Sequence, residues 1–206
     1  MTNPLETWEY KLEEALALML KDPAIIGTHK FSPETTDFME HLSGTPARLV
    51  KSFKKDFFKG VAVDPKSVLT TLFSKRKYDE VIIVSNIHFT SFCAHHLLPF
   101  IGQVHFGYMP STKIVGLSKI PRLVDALSRR LQVQENLTEE IADVFYDTVQ
   151  PEGCGVVIEA MHTCMSVRGV EKQGAIIETT ALRGRFKDPS LKAEFLSQIS
   201  PRKGKI

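Results

Sequence analysis

Near Lys77 the hydrophobic pattern changes period, and a chain that does this builds helices first and a sheet afterwards. Before that point Leu5, Trp8, Leu12, Ala15, Leu16 and Met19 recur at three- and four-residue steps. They predict an amphipathic helix ending before Asp22-Pro23. The stretch from Pro23 to Pro33 reads as a loop. A second helix is expected from Thr45-Pro46, with threonine as cap and proline at the first helical position, stopping at Gly60. Beyond Glu80 the signals are those of strands: β-branched Val81 to Val84, then Ile101 to Tyr108. Two successive helices are predicted over Ser118–Leu131 and Asn136–Val149. Gly155–His162 reads as a strand, Ala175–Leu182 as its antiparallel neighbour, and Leu191–Ile199 as a short closing helix before a frayed tail. The expected class is α+β, with a helical region over 1–77 and a sheet domain over 78–206.

Composition narrows the function. The 206 residues carry 26 Lys and Arg against 24 Asp and Glu, a formal charge of only +2, which argues against a nucleic-acid binder. No run approaches the ~20 apolar residues that span a bilayer. The opening Met1-Thr2-Asn3-Pro4-Leu5-Glu6 lacks the charged and apolar regions of a signal peptide. Cys93, Cys154 and Cys164 cannot all pair within one chain, and they read as reduced thiols of a cytoplasmic protein. Cys154, between two glycines, is expected to be a small buried residue.

Two short segments hold most of the soft-metal ligands: Cys93-Ala94-His95-His96 and His162-Thr163-Cys164. Zinc prefers thiolate and imidazole, and a catalytic site uses three such ligands while leaving a fourth position for water. If the second segment ends a strand, alternation puts His162 and Cys164 on one face. In the first, a flat strand would pair Cys93 with His95, so Cys93 and His96 converge only if the chain turns. The ordinary alternative is a buried free cysteine beside surface histidines.

A second constellation is cationic. Arg48 and Lys51 lie one turn apart on the second helix, Ser118, Lys119 and Arg122 open another, and Arg168 follows Cys164 by four residues. Guanidinium and ammonium groups with a hydroxyl at a helix start suit a polyphosphate, although solvated surface charge is the default for such residues. Gln134-Glu135 lies between the two predicted helices, where a carboxylate could accept paired N–H donors from a purine edge.

Several stretches taken together, Cys93-Ala94-His95-His96-Leu97-Leu98-Pro99-Phe100, Val115-Gly116-Leu117-Ser118-Lys119-Ile120 with Arg122, Gln132-Val133-Gln134-Glu135, and His162-Thr163-Cys164-Met165 with Arg168-Gly169-Val170, resemble the GTP cyclohydrolase I family. Thr45-Pro46-Ala47-Arg48 and Ala181-Leu182-Arg183-Gly184 with Phe186 are similar too, so the resemblance covers nearly the whole chain. It implies a T-fold subunit with an N-terminal helical extension, assembled as a toroidal homodecamer around a barrel. It implies zinc held by Cys93, His96 and Cys164, with His95 and His162 as catalytic histidines. It also implies a phosphate clamp of Arg48, Lys51, Ser118, Lys119, Arg122 and Arg168, and Gln134 and Glu135 at the guanine of GTP.

The implied chemistry suits these residue types. Opening the GTP imidazole ring needs a nucleophile at C8 and a proton at N7. A histidine supplies protons near neutral pH, and either His162 or His95 fills that role. A hydroxyl such as Ser118 could relay protons in the later ribose rearrangement that leads to 7,8-dihydroneopterin triphosphate. The chain departs from the family at Ala94, where glutamate is usual, which removes a carboxylate beside the metal segment. Two other readings of the same residues are a ligand-binding T-fold homologue without turnover and a nitrile reductase of deazaguanine metabolism. The latter needs a nucleophilic cysteine and has no use for a histidine pair.

Overall fold

The computed structural model describes residues 7–22, 25, 40–74 and 77–200. The loop expected over Pro23–Pro33 and the tail after Ser200 lie outside the described residues, apart from Ile25. The chain forms two compact units, Met1–Asp56 and Phe57–Ile206. In the first, α1 (Trp8–Met19) starts at Thr7, whose side chain accepts from the Tyr10 N–H at 3.4 Å. The second helix, α2 (Thr45–Ser52), differs from expectation at both ends. Its cap is Gly44, at φ +71°, so Thr45 is already helical and its hydroxyl accepts from Arg48 Nη2 at 2.7 Å. The α-helix ends at Ser52, passing into a wider turn over Phe53–Phe57 and a 3₁₀ turn at Lys59–Ala62 in place of an unbroken helix to Gly60.

The second unit is a mainly antiparallel sheet with helices on both faces. Strands β1 (Leu72–Ser74), β2 (Ile82–Cys93), β3 (Pro99–Met109), β4 (Lys113–Val115), β5 (Leu131–Gln132), β6 (Gly153–His162) and β7 (Ile176–Gly184) form two sheets. One pairs β1 with β4, and the other has the order β5-β2-β3-β6-β7. As expected, β7 pairs antiparallel with β6. Helices α3 (Lys119–Ser128) and α4 (Gln134–Val149) separate β4 from β6, and α5 (Pro189–Ile199) closes the described chain. Leu131, expected at the end of a helix, instead opens β5, which runs parallel to the end of β2.

Period-2 alternation sorts the sheet into two faces. Phe100, Val104, Phe106 and Tyr108 of β3, with Val156, Ile158 and Ala160 of β6, belong to one buried core with Leu123 and Leu127 of α3 and Leu137, Ile141 and Phe145 of α4. On the other face Met109 and Val157 pack with Phe186 and with Leu191, Phe195 and Ile199 of α5. The rings of Phe186 and Phe195 come so close that a Cβ on Gly107 or Gly155 would sit 2.7 Å from them. Residues 59–74 belong with this unit, and Leu69 is part of its main core. No helix among the described residues is long and apolar enough to cross a membrane.

Candidate metal centre and adjoining cleft

Three features of the sheet bring the soft ligands together. First, β2 ends at Cys93 and the chain turns at once: Cys93 O accepts from His96 N at 3.2 Å and from Leu97 N at 2.9 Å, and Cys93 N donates back to Leu98 O. Leu97 takes φ +55°, an unusual conformation for a leucine, to complete this turn. Second, β5 sets Gln132 beside Cys93, and Ala94 N donates to Gln132 O at 2.9 Å, which fixes the turn against the start of α4. Third, the β3–β6 register pairs Phe100 with His162, so the last residue of β6 stands next to the same turn.

The turn does what convergence of Cys93 and His96 requires. Cys93 Sγ lies 3.6 Å from His96 Nδ1, and also 3.8 Å from His95 Nδ1. A tetrahedral centre with sulfur at ~2.3 Å and nitrogen at ~2.0 Å separates such atoms by about 3.5 Å. One ligand atom from each of Cys93, His95 and His96 falls within 4.8 Å of the others, a cluster that could hold a metal ion. Burial, together with the neighbouring Cys93 thiol, pushes the Cys164 pKa up. One thiol and two imidazoles thus form the cluster, donors of the kind zinc takes, and the expected ligand Cys164 falls outside it.

Cys164 does not arrive by strand alternation. The strand stops at His162, and Thr163–Ser166 forms a helical turn, anchored by Thr163 Oγ1 donating to Pro99 O at 2.6 Å. His162 itself stacks on Phe100, with ring centroids 4.6 Å apart and planes 6° from parallel. Its Nε2 lies 2.8 Å from Gln134 Oε1. Burial lowers its pKa, partly offset by the nearby Glu135 carboxylate.

Cys93, His95, Gln134, Glu135, His162 and Met165 share the walls of a cleft of about 230 Å³. Pockets for small molecules are commonly ~300–1,000 Å³, so this volume accommodates only part of a nucleotide. Ser118, Lys119, Arg122 and Arg168 do not line it. Ser118 precedes α3 without capping it through its side chain, Arg122 lines a separate hollow with Lys59 and Asp125, and Arg168 is exposed beyond the helical turn. In the first unit, Arg48 donates to the main-chain carbonyls of Ser43 and His41, and Lys51 is exposed on the same helix.

Residues 34–200 match a family model described as GTP cyclohydrolase I. The chain belongs to the GTP cyclohydrolase I family. Curated relatives bearing the name GTP cyclohydrolase 1 align with most of it. The Wolinella succinogenes protein is 47 % identical over 161 residues, covering 78 % of this chain and 86 % of its own. A Helicobacter pylori protein is 49 % identical, covering 78 % and 89 %, and a Campylobacter concisus protein 48 % identical, covering 79 % and 86 %. Among solved structures, apo archaeosine synthase QueF-Like overlaps 52 % of this chain and 97 % of its own at a TM-score of 0.43 and 17 % identity, too loose a likeness to bear on fold or chemistry.

In this GTP cyclohydrolase I family member, sequence reasoning missed Phe100 as the platform for His162, and Thr138 and Thr179 behind Gln134. Thr138 is one helical turn from Gln134 and was within reach of a periodicity argument. Thr179 is 45 residues from Gln134 and reaches it only through the β6–β7 pairing.

Proposed function

We propose that the protein is a zinc-dependent GTP cyclohydrolase I that opens the imidazole ring of GTP, releases formate and yields 7,8-dihydroneopterin triphosphate. The observation that carries this is the shared cleft: Cys93 and His95 of the thiol–imidazole cluster, with His162 and the Glu135 carboxylate, line one cavity. In this reading Cys93, His96 and Cys164 hold the zinc. When bound, the ion supplies a water whose pKa is lowered toward ~7, the nucleophile for C8.

The remaining work falls to side chains. His162 or His95 gives a proton to N7 as a first water adds at C8; the C8–N9 bond then breaks to leave an N7-formamide, and a second water adds at its carbonyl carbon, so that the C8–N7 bond breaks and formate leaves. Glu135 accepts from the purine N–H donors. Gln134, whose side chain is committed elsewhere, offers guanine a main-chain N–H at the start of α4. Ser118, Lys119, Arg122 and Arg168 bind the triphosphate, with Arg48 and Lys51 as further phosphate ligands, and Ser118 relays protons in the ribose rearrangement.

The small cleft, and the absence of Lys119, Arg122 and Arg168 from its walls, favour a site completed by a neighbouring subunit. Among the described residues, β7 pairs only with β6, and β2 pairs outside β3 only through its last two residues. Open edges of this length call for a partner, which supports a T-fold barrel closed by several copies, a cytoplasmic homodecamer. Purified protein incubated with GTP, followed for formate and pterin fluorescence together, tests the reading. Formate release with Ala94 in place supports it. Bound zinc with no formate overturns it in favour of a ligand-binding homologue.

A further inference from the structure

Gln134 lines the cleft, yet it is only 1 % exposed. Its carboxamide is gripped from three directions. Nε2 stands 3.2 Å from Ile158 O, 3.0 Å from Ile177 O and 3.1 Å from Thr179 Oγ1. Main-chain carbonyls only accept, so the end of the amide facing them is the NH₂ group, and the opposite end is oxygen. The two threonines complete a directional ring. Thr138 Oγ1 donates to Gln134 O at 2.7 Å, which uses its only proton. Its 2.6 Å contact with Thr179 Oγ1 is therefore a donation from Thr179, whose oxygen accepts from Gln134. The two amide hydrogens are shared among three acceptors, and reversing the amide would set its oxygen against two carbonyl oxygens.

That fixed oxygen lies 2.8 Å from His162 Nε2. An amide oxygen has no hydrogen to give, so Nε2 must carry one. The parallel stack on Phe100 holds the ring plane, and a half-turn of the ring would put carbon where Nε2 now sits.

We infer that Gln134 is a positioning residue that fixes His162 as the Nε2–H tautomer and so makes Nδ1 its proton-exchanging nitrogen. The consequence for catalysis rests on the function proposed above. In the acid step the Nδ1–H bond of the imidazolium breaks, the purine N7–H bond forms, and the ring returns to neutral Nε2–H. The hydrogen bond to Gln134 persists throughout, so the ring need not rotate between steps. Gln134 thus acts on the reaction through His162, and its side chain is not a guanine ligand.

The test is ¹⁵N NMR of the zinc-loaded enzyme labelled at histidine, with His162→Gln to identify the His162 signals by difference. The parent should show His162 as neutral Nε2–H. Gln134→Met, similar in size and without the amide, should give a tautomer mixture, and kcat for GTP should fall about 10–100-fold with KM nearly unchanged. Thr179→Val removes one amide partner but keeps both carbonyls, so it should retain the Nε2–H form even if it melts earlier. A parent ring protonated on Nδ1 alone overturns the inference, whether or not GTP is turned over and whether or not the variants fold. An Nε2–H ring in Gln134→Met with parental kcat overturns it equally. A parent that shows the Nε2–H form but no action on GTP supports the positioning role while retiring the proposed function.

Discussion

His95 and His162 are expected to be equally necessary for ring opening and very unequal in what they contribute to the fold. Replacing His162 by alanine removes a ring stacked on buried Phe100 and takes away the partner of Gln134 Oε1. An aromatic pair of this kind contributes ~0.5–1.5 kcal/mol beyond its buried area. A buried acceptor left alone costs about 1–3 kcal/mol, and here the low end applies because the half-buried site lets water replace the ring. His162→Ala should therefore destabilise the protein by about 2 kcal/mol. His95 is exposed on the turn, its ring in edge contact with His96 at 6.1 Å and its Nδ1 3.8 Å from Cys93 Sγ, and His95→Ala should stay within about 0.5 kcal/mol of the parent. Both variants should keep zinc and lose formate release by about 10²–10⁴-fold, the range for a missing general acid or base. Denaturant unfolding at one fixed protomer concentration reads the first effect, because the proposed assembly would make stability concentration-dependent. Formate release from GTP by the zinc-loaded proteins reads the second. Equal stabilities for the two variants would refute the packing argument. Parental formate release by either would strike that histidine from the mechanism.

Cys164→Ser is expected to lose most of its zinc by metal analysis, and one retained equivalent per subunit with unchanged ligand geometry would remove Cys164 from the ligand set. Arg168→Ala should weaken binding of GTP far more than of guanosine, because the lost contact is to charge; equal losses in a titration would mark a structural role. Cys154 is fully buried, and burial pushes its thiol pKa up to about 12, so it should resist alkylation at pH 8 until the chain unfolds. Labelling at the rate of an exposed thiol would show that the β6–α4 packing opens in the native state.

The parts of the fold legible in the sequence are those with an uninterrupted period. β3, β6 and α4 were within a residue or two of their observed limits because apolar residues repeat cleanly through them. The sequence pattern marks β2 only as Val81–Val84. It continues to Cys93, but a bulge between Val84 and Ile87, with Asn86 at φ +58°, shifts the register and breaks the alternation that would have revealed the rest. β5 is two residues long, too short for any period, and its role is positional: it sets Gln132 and the start of α4 beside Cys93.

The site was legible as residue types and not as geometry. The turn after Cys93 could be argued from chemistry, since His96 and Cys93 meet only if the strand ends. Alternation from His162 to Cys164 failed because helical backbone begins at Thr163, held by a hydroxyl on Pro99 that no local pattern announces. One feature governs both outcomes. The pairing of Phe100 with His162 sets the ring on its stack and starts the helical turn at the height of the Cys93 turn. A slip of one residue would send His162 to the face occupied by Met161 and carry Cys164 away from Cys93. The ten-residue register between β3 and β6, whose alternating side chains fill the core on one face and meet α5 on the other, is thus what sets His162 beside the Cys93 turn. In this protein the packing that makes the sheet stable and the geometry that makes the site workable are set by the same strand pair.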